Sequence, residues 1–260
     1  MKVFLRRIGA LVKLSLLELW RRNDVFTLLV LALVLLVPLS MARPFGVAGA
    51  TRYFDEAALL LVWGYSLFIS LGVGGRLFTN EFANRTVYPL LAKPVSRGDL
   101  LLGKYLGAVV AAWSALAFFY ALWAVSSLLR GGECLSACFF QAFALHAVFV
   151  ALAVAAALCG SFILSSSAST TLLAILFPAM FFFGRRLPEY AENVPGALRW
   201  LVKVMYVVAP HAEFFDMRQR LVHGWGEVVW GVFGFVALYG LVYSLALLIL
   251  TRILFDRRRL

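Results

Sequence analysis

Apolar runs long enough to cross a bilayer alternate with polar stretches along this chain. Six such runs fall at about Val25–Ala42, Ala57–Arg76, Tyr105–Leu128, Ala137–Leu164, Ala168–Gly184 and Val228–Phe255. A helix rises 1.5 Å per residue, so the 18 residues of the first run reach ~27 Å, enough to cross. Pro38 falls near the end of the first run and Pro178 interrupts the fifth. The last run is long for one crossing, which implies tilt or an extension into the cytoplasm.

The polar stretches have patterns of their own. In residues 1–24, Leu5, Ile8, Val12, Leu16 and Leu19 form one helical stripe, with Lys2, Arg6, Lys13, Arg21 and Arg22 off it. This predicts an amphipathic helix lying in the membrane interface. The rival is a secretory signal with Ser40-Met41-Ala42 as cleavage site. A leading segment of this length and a full-length apolar run argue against it. Arg43–Glu56 is a short loop, and Arg130–Leu135 a tight turn. Ser165–Thr171 is an uncharged polar hinge whose hydroxyls suit backbone carbonyls at helix ends. Arg185–Glu227, with three prolines, predicts one or two short interfacial helices at the outer surface, including the amphipathic Leu198–Val208. A re-entrant turn fits Tyr206–Asp216. Small residues recur every four positions at Gly103, Gly107, Ala111 and Ala115, a ridge for close helix packing.

The longest polar interruption in the first two-thirds of the chain is Phe78–Lys104. Glu81 opens a short helix-like segment with Phe82, Val87 and Leu90–Leu91 as apolar contacts. Pro89 and Pro94 break it. Ser96-Arg97-Gly98-Asp99 reads as a basic turn before Gly103-Lys104. An amphipathic helix at the membrane face followed by such a turn suits docking onto a soluble partner.

Composition agrees with the pattern. Of 260 residues, 63% are hydrophobic and 14% charged, with mean hydropathy +0.91. Soluble domains carry about a quarter charged residues, so this is an all-α polytopic membrane protein. The net charge of +11 fits positive-inside bias and contact with anionic lipid better than nucleic acid. Lys and Arg number 15 in residues 1–24, Arg76–Lys104 and Arg252–Leu260, against nine in the alternate loops. The bias places both termini and the Phe78–Lys104 loop in the cytoplasm.

Here the residues resemble a known family. Glu81, Thr86, Leu90-Leu91, Pro94-Val95-Ser96-Arg97 and Gly103-Lys104 are similar to the loop between the second and third spans of ABC-2-type ABC transporter permeases. The likeness covers nearly the whole chain as a single transmembrane domain, since that family also has six spans and an N-terminal interfacial helix. It is weaker around Tyr206–Asp216. In the family this loop is the coupling helix that touches the ATPase subunit. The resemblance therefore implies a permease subunit of an exporter in the bacterial inner membrane, paired with a second permease subunit and served by separate ABC-type ATPases. It implies ATPase contacts at Glu81 and Arg97, and loop-shaping roles for Thr86, Pro94 and Gly103. Spans 2 and 5 lie near the family's dimer interface and pathway. That puts Trp63, Tyr65, Ser66, Phe181, Phe182 and Phe183 near a substrate.

Other chemistry is thin. Gly98–Lys104 matches the nucleotide-binding GxxxxGK. Yet Tyr105 follows in place of Ser or Thr, no strand precedes, and an apolar run comes next. The Asn84-Arg85-Thr86 sequon lies on the expected cytoplasmic side. His211, Glu213, Asp216 and His223 lack ligand spacing for a metal, and no cofactor is expected. Cys134 and Cys138 are free thiols, or a disulfide if their loop faces outside; Cys159 sits in an apolar run. His146 is the only ionisable side chain well inside a run, which makes it either a functional group or a hydrogen-bonded helix contact. No nucleophile is paired with a base, so driven transport needs an outside ATPase. The other readings are a membrane-embedded enzyme acting on lipid, at His146 or Arg185–Glu227, and an ABC-type anchor that remodels a partner without transport.

Overall fold

The computed structural model describes residues 2–21, 30, 33–34, 50–79, 96–129, 136–193 and 195–257. The helices are α1 (Lys2–Arg21), α2 (Ala50–Arg76), α3 (Arg97–Leu129), α4 (Ala137–Ile163), α5 (Ser166–Phe183), α6 (Leu187–Asn193), α7 (Ala197–Val208), α8 (Arg218–His223) and α9 (Trp230–Arg257). Short 3₁₀ turns at Gly184–Arg186 and Ala212–Phe215 link some of them. Among the described residues there is no strand, and five helices are long and apolar enough to span a membrane. They are α2, α3, α4, the α5–α6 run and α9. The chain is an all-helical polytopic membrane protein. The expected first span, Val25–Ala42, lies outside the described residues except for helical Val30, Leu33 and Val34.

At the centre lies α4, packed against α2, α3, α5 and α9. It is buried on two sides at once. Val150, Val154 and Leu158 join one apolar cluster, while Leu145, Phe149 and Leu152 join the other. Its many buried alanines let neighbours approach closely. A Cβ on Gly74 of α2 would sit 2.7 Å from the Val154 carbonyl oxygen, and one on Gly240 of α9 would sit 2.5 Å from Val148 Cγ1. In contrast, α9 buries a single stripe, Gly240, Ser244, Leu248, Thr251 and Phe255. The rest of it, including Leu238, Leu241, Leu245 and Ile249, is exposed, as suits a helix facing lipid.

Two polar devices fix helix ends. Ser96 Oγ accepts from Asp99 N at 3.0 Å while Asp99 Oδ2 accepts from Ser96 N at 3.3 Å. This reciprocal cap starts α3, so Ser96–Asp99 is the opening of a helix, where the sequence reading expected a free-standing turn. Gly98–Lys104 is helical, which no phosphate-cradling loop could be. The serine-rich stretch behaves as expected. Ser165 caps α5 through Ala168 N, and Ser166 Oγ donates to the Gly75 carbonyl near the end of α2 at 2.7 Å.

The N-terminal helix packs along α3 on the anticipated glycine ridge. Gly103 meets Leu11, and Gly107 meets Ser15, the two buried positions of α1 among its described side chains. Ile8, Val12 and Leu16 of the expected stripe are only half-buried, and Leu5 and Leu19 lie outside the described side chains. The packed face is thus turned roughly a quarter turn from that stripe. The small residues Gly103 and Gly107 permit backbone approach there, so shape outweighs apolarity in choosing the packed face.

Between the end of α5 and the start of α9 the chain keeps to one end of the bundle. None of α7 is buried, and Leu198, Trp200, Val204 and Val207 are exposed along it, as an interfacial helix requires. The Tyr243 hydroxyl donates to the Val208 carbonyl and ties α7 to α9. The segment Ala209–Met217 turns inward, burying Ala212, Phe215 and Met217. The Phe215 ring lies 5.8 Å from that of Phe149 and 6.3 Å from that of Tyr239.

Candidate functional site

Two groups of polar residues stand out against this apolar background. The first surrounds His146 on α4, 1% exposed. Its Nε2 lies 2.7 Å from Ser66 Oγ on α2, and its Nδ1 lies 3.2 Å from Tyr120 Oη on α3. Ser66 Oγ also donates to the Trp63 carbonyl at 2.9 Å, which uses its one hydrogen. Nε2 must then be the N–H donor to Ser66, and Nδ1 accepts from the Tyr120 hydroxyl. A neutral imidazole closes the network with each of these hydrogens placed. The sequence showed no partner for this histidine; the fold supplies two from other helices.

Aromatic rings pack round this network. Trp63 stacks on His146 at 5.2 Å and on Phe149 at 4.2 Å, and lies 4.4 Å from Phe181 of α5. Three of the six expected path residues, Trp63, Ser66 and Phe181, therefore share one seam between α2, α4 and α5. The other three point elsewhere. Tyr65 faces Phe119 of α3 at 6.2 Å. Phe182 lines an open cleft of about 350 Å³ with Tyr53, Glu56 and Arg218, and Phe183 is exposed. Arg218 closes the outer edge of the seam, its guanidinium 4.7 Å from the centre of the Phe181 ring.

The second group lies where α3 begins and α4 and α9 end. Phe78, Phe162 and Phe255 form a ring-to-ring trio with centroids 5.3–5.6 Å apart. Arg97 Nη1 donates to the carbonyls of Phe255 at 2.9 Å and Asp256 at 3.3 Å, and its guanidinium lies over the Phe255 ring. A cation is favoured there, because the last carbonyls of a helix lack partners and carry partial negative charge. Lys104 is 2% exposed; its Nζ meets Glu18 Oε2 of α1 at 3.4 Å and the Leu77 carbonyl at 3.5 Å. The chain leaving α2 and the chain entering α3 are thus fastened to α1, α4 and α9.

Of the expected coupling residues, Arg97 sits at this junction, and Gly103 lies two turns inside α3 against Leu11. Glu81, Thr86 and Pro94 lie outside the described residues, as do Asn84, Pro89 and Cys134. Cys138 and Cys159 are buried free thiols. Of the four residues weighed as metal ligands, His211 pairs with Glu213, Asp216 with Arg218, and His223 with Glu56. Among the described residues no metal-binding group of His, Cys, Asp or Glu forms.

Sequence reasoning missed Tyr120, Glu18, Phe255 and Gln141. Only Gln141 left a signal, an amide inside an apolar run. It pairs with the backbone of Val228 in both directions, at 2.9 and 2.8 Å, and so fixes the entry to α9. A family model described as an ABC-2 family transporter protein matches residues 18–185, from late α1 to the turn after α5. No curated protein matches the chain.

Proposed function

The chain belongs to the ABC-2 transporter family, and from that premise we propose that it works as an exporter driven by a separate ABC-type ATPase. As a family member it is a permease subunit of an ABC transporter, a membrane component that is not itself catalytic. A second permease subunit, a copy or a paralogue, completes the membrane unit. The orientation follows the Lys and Arg excess, with both termini and the α2–α3 connection in the cytoplasm of a bacterial cell.

The observation that carries this reading is the fastening of the α2–α3 connection, by Arg97 and Lys104 where α3 begins and by the Leu77 carbonyl and the Phe78 ring where α2 ends. A segment pushed by a soluble partner moves the spans only if its ends are coupled to them. Displacement at Arg97 passes to the end of α9 through two carbonyl bonds. Displacement at Lys104 passes to α1 through Glu18. Glu81 and Arg97 contact the ATPase in this reading, while Thr86 and Pro94 shape the intervening loop. ATP-driven closure of the ATPases then rocks the spans between inward- and outward-open states. The substrate path follows the α2–α5 face. Trp63, Ser66 and Phe181 form its inner seam, Tyr65 lies toward α3, and Phe182 and Phe183 lie toward the outer edge.

The double change Glu81→Ala/Arg97→Ala tests the coupling. Loss of the Arg97 cap costs about 1–2 kcal/mol, too little to prevent membrane insertion. Stimulated ATPase activity and co-purification of the ATPase should fall several-fold in nanodiscs while membrane level is kept. If stimulation stays at the wild-type level and transport is lost, these residues belong to the substrate path instead. Failure to find any ATPase partner would sink the exporter reading.

Orientation has its own test. In a background without native cysteines, Ser96→Cys should react with an impermeant maleimide only in inverted vesicles, and Gly196→Cys only in right-side-out cells. The reverse pattern overturns the topology.

A further inference from the structure

We propose that the cleft beside the buried Ala212–Phe215 turn binds the headgroup of a phospholipid bearing a primary amine. The cleft holds about 270 Å³, the scale of a headgroup. One of its lining residues is Glu213, 3% exposed. Glu213 Oε1 bonds to His211 Nδ1 at 3.1 Å, whereas the buried Oε2 has no partner. A buried carboxylate oxygen without a donor is costly, which points to a ligand that supplies one. The carboxylate rests on the backbone of Gly184. A Cβ there would come within 2.5–2.7 Å of its atoms, so glycine makes the room.

The cleft carries opposite charge as well. Arg185 and Arg220 line it, both exposed and neither paired with an acid among the described residues. Asp216, also on the wall, is already taken by Arg218 at 3.0 Å. The unmatched groups are therefore one deep carboxylate oxygen and two guanidiniums. The remaining wall is apolar: Val232, Phe233 and Val236 belong to the first two turns of α9. That wall runs on into the exposed face of α9 at Phe235 and Leu238. Trp225 and Trp230 flank the start of α9, each 61% exposed, and exposed tryptophans mark the headgroup level of a bilayer.

A ligand that answers all of these features has an ammonium for Glu213, a phosphate for the arginines and an acyl chain for α9. Arginine offers paired N–H groups that match phosphate oxygens. A primary ammonium offers three donors in a small volume, which a trimethylated amine cannot do. An anionic glycerol headgroup has no cation to meet Glu213. The chemistry selects an ethanolamine-type phospholipid over its choline and glycerol counterparts.

The test uses the full chain in phosphatidylcholine nanodiscs carrying equal small amounts of phosphatidylethanolamine and phosphatidylglycerol, with retained lipid counted by native mass spectrometry. Phosphatidylethanolamine should be enriched ~10-fold over either competitor. Glu213→Gln should abolish that preference, and Arg185→Gln/Arg220→Gln should lower retention of all three. Equal retention of the glycerol lipid, or a preference that survives Glu213→Gln, overturns the proposal. Should Glu213→Gln fail to fold, N-methylated ethanolamine lipids on the wild-type chain serve instead. Retention must fall as each N–H is replaced, and a flat series is fatal. Free O-phosphoethanolamine at matched concentration should not compete, because it lacks the chain that lies on α9. If it binds as tightly as the lipid, the site belongs to a soluble phosphate ester and the lipid assignment fails. None of these readouts depends on an ATPase, so the proposal stands or falls apart from the exporter reading.

Discussion

Gly103→Ala/Gly107→Ala should unfasten α1 from α3 and lower the unfolding temperature well below that of wild type. A Cβ on Gly103 would lie 2.5 Å from Leu11 Cβ, and one on Gly107 would lie 2.6 Å from Ser15 Cβ. These neighbours are the first atoms of their side chains, so no rotamer change moves them aside; the helices must separate. Overpacking of this kind costs roughly 1–3 kcal/mol per site. Alanine's better helix propensity offsets about 1 kcal/mol at each, leaving a net loss. Separation also draws Glu18 away from buried Lys104, which adds to the penalty. Gly64→Ala in α2 is the control, since nothing lies within 4 Å of its Cβ position and only the propensity gain applies. Fluorescence-detected melting in one detergent compares the three proteins. If the double variant melts with wild type, α1 does not rest on the glycine ridge.

His146→Phe should destabilise the protein by about 1–3 kcal/mol, and Tyr120→Phe added to it should restore most of the loss. The reason lies in the hydrogen bookkeeping of the network. Without the imidazole, the Tyr120 hydroxyl, in a side chain 4% exposed, has no acceptor. Ser66 keeps its bond to the Trp63 carbonyl and suffers less. Replacing both His146 and Tyr120 by phenylalanine removes the polar pair together, which is close to neutral when shape is kept. A double-mutant cycle on melting temperature measures the coupling. Transport by the rescued double variant then separates the two readings of His146. Wild-type transport makes it a structural link between α2, α3 and α4, whereas a stable but inactive protein makes it part of the path.

The helices were legible wherever one face meets water or headgroups. The stripe of residues 1–24 and the amphipathic Leu198–Val208 both correspond to helices, because a 3.6-residue period survives when solvent differs on two sides. The spans were legible as lengths of apolar sequence, but their true ends were not. α2 begins at Ala50 and α3 at Arg97, ahead of the apolar runs at Ala57 and Tyr105. Composition marks only the part of a helix inside lipid, while backbone hydrogen bonding carries it further. Pro94 and the turn-like Ser96-Arg97-Gly98-Asp99 hid a capping box at the start of α3. Which face of a span meets its neighbours was readable only where glycines marked it, since lipid and protein core are equally apolar. The seam round His146 was half legible: Trp63, Ser66 and Phe181 converge there. Tyr120 and Phe149 left no mark, as long-range pairing between uniform apolar helices has no local signal. The same holds for Lys104 and Glu18, 86 positions apart.

The last helix is held at both of its ends. Gln141 grips the backbone of Val228 just before it starts, and Arg97 holds the carbonyls of Phe255 and Asp256 at its finish. Between these clamps α9 runs 28 residues, about 42 Å at 1.5 Å per residue, against a hydrocarbon thickness of roughly 30 Å. A free helix of that length would settle its excess by tilting alone or sliding past its neighbours. This one can do neither without breaking charge-assisted or paired bonds to α3 and α4. Membrane thickness is therefore felt by the bundle as a whole. A thinner or thicker bilayer shifts the balance of any two bundle arrangements that differ in the tilt of α9.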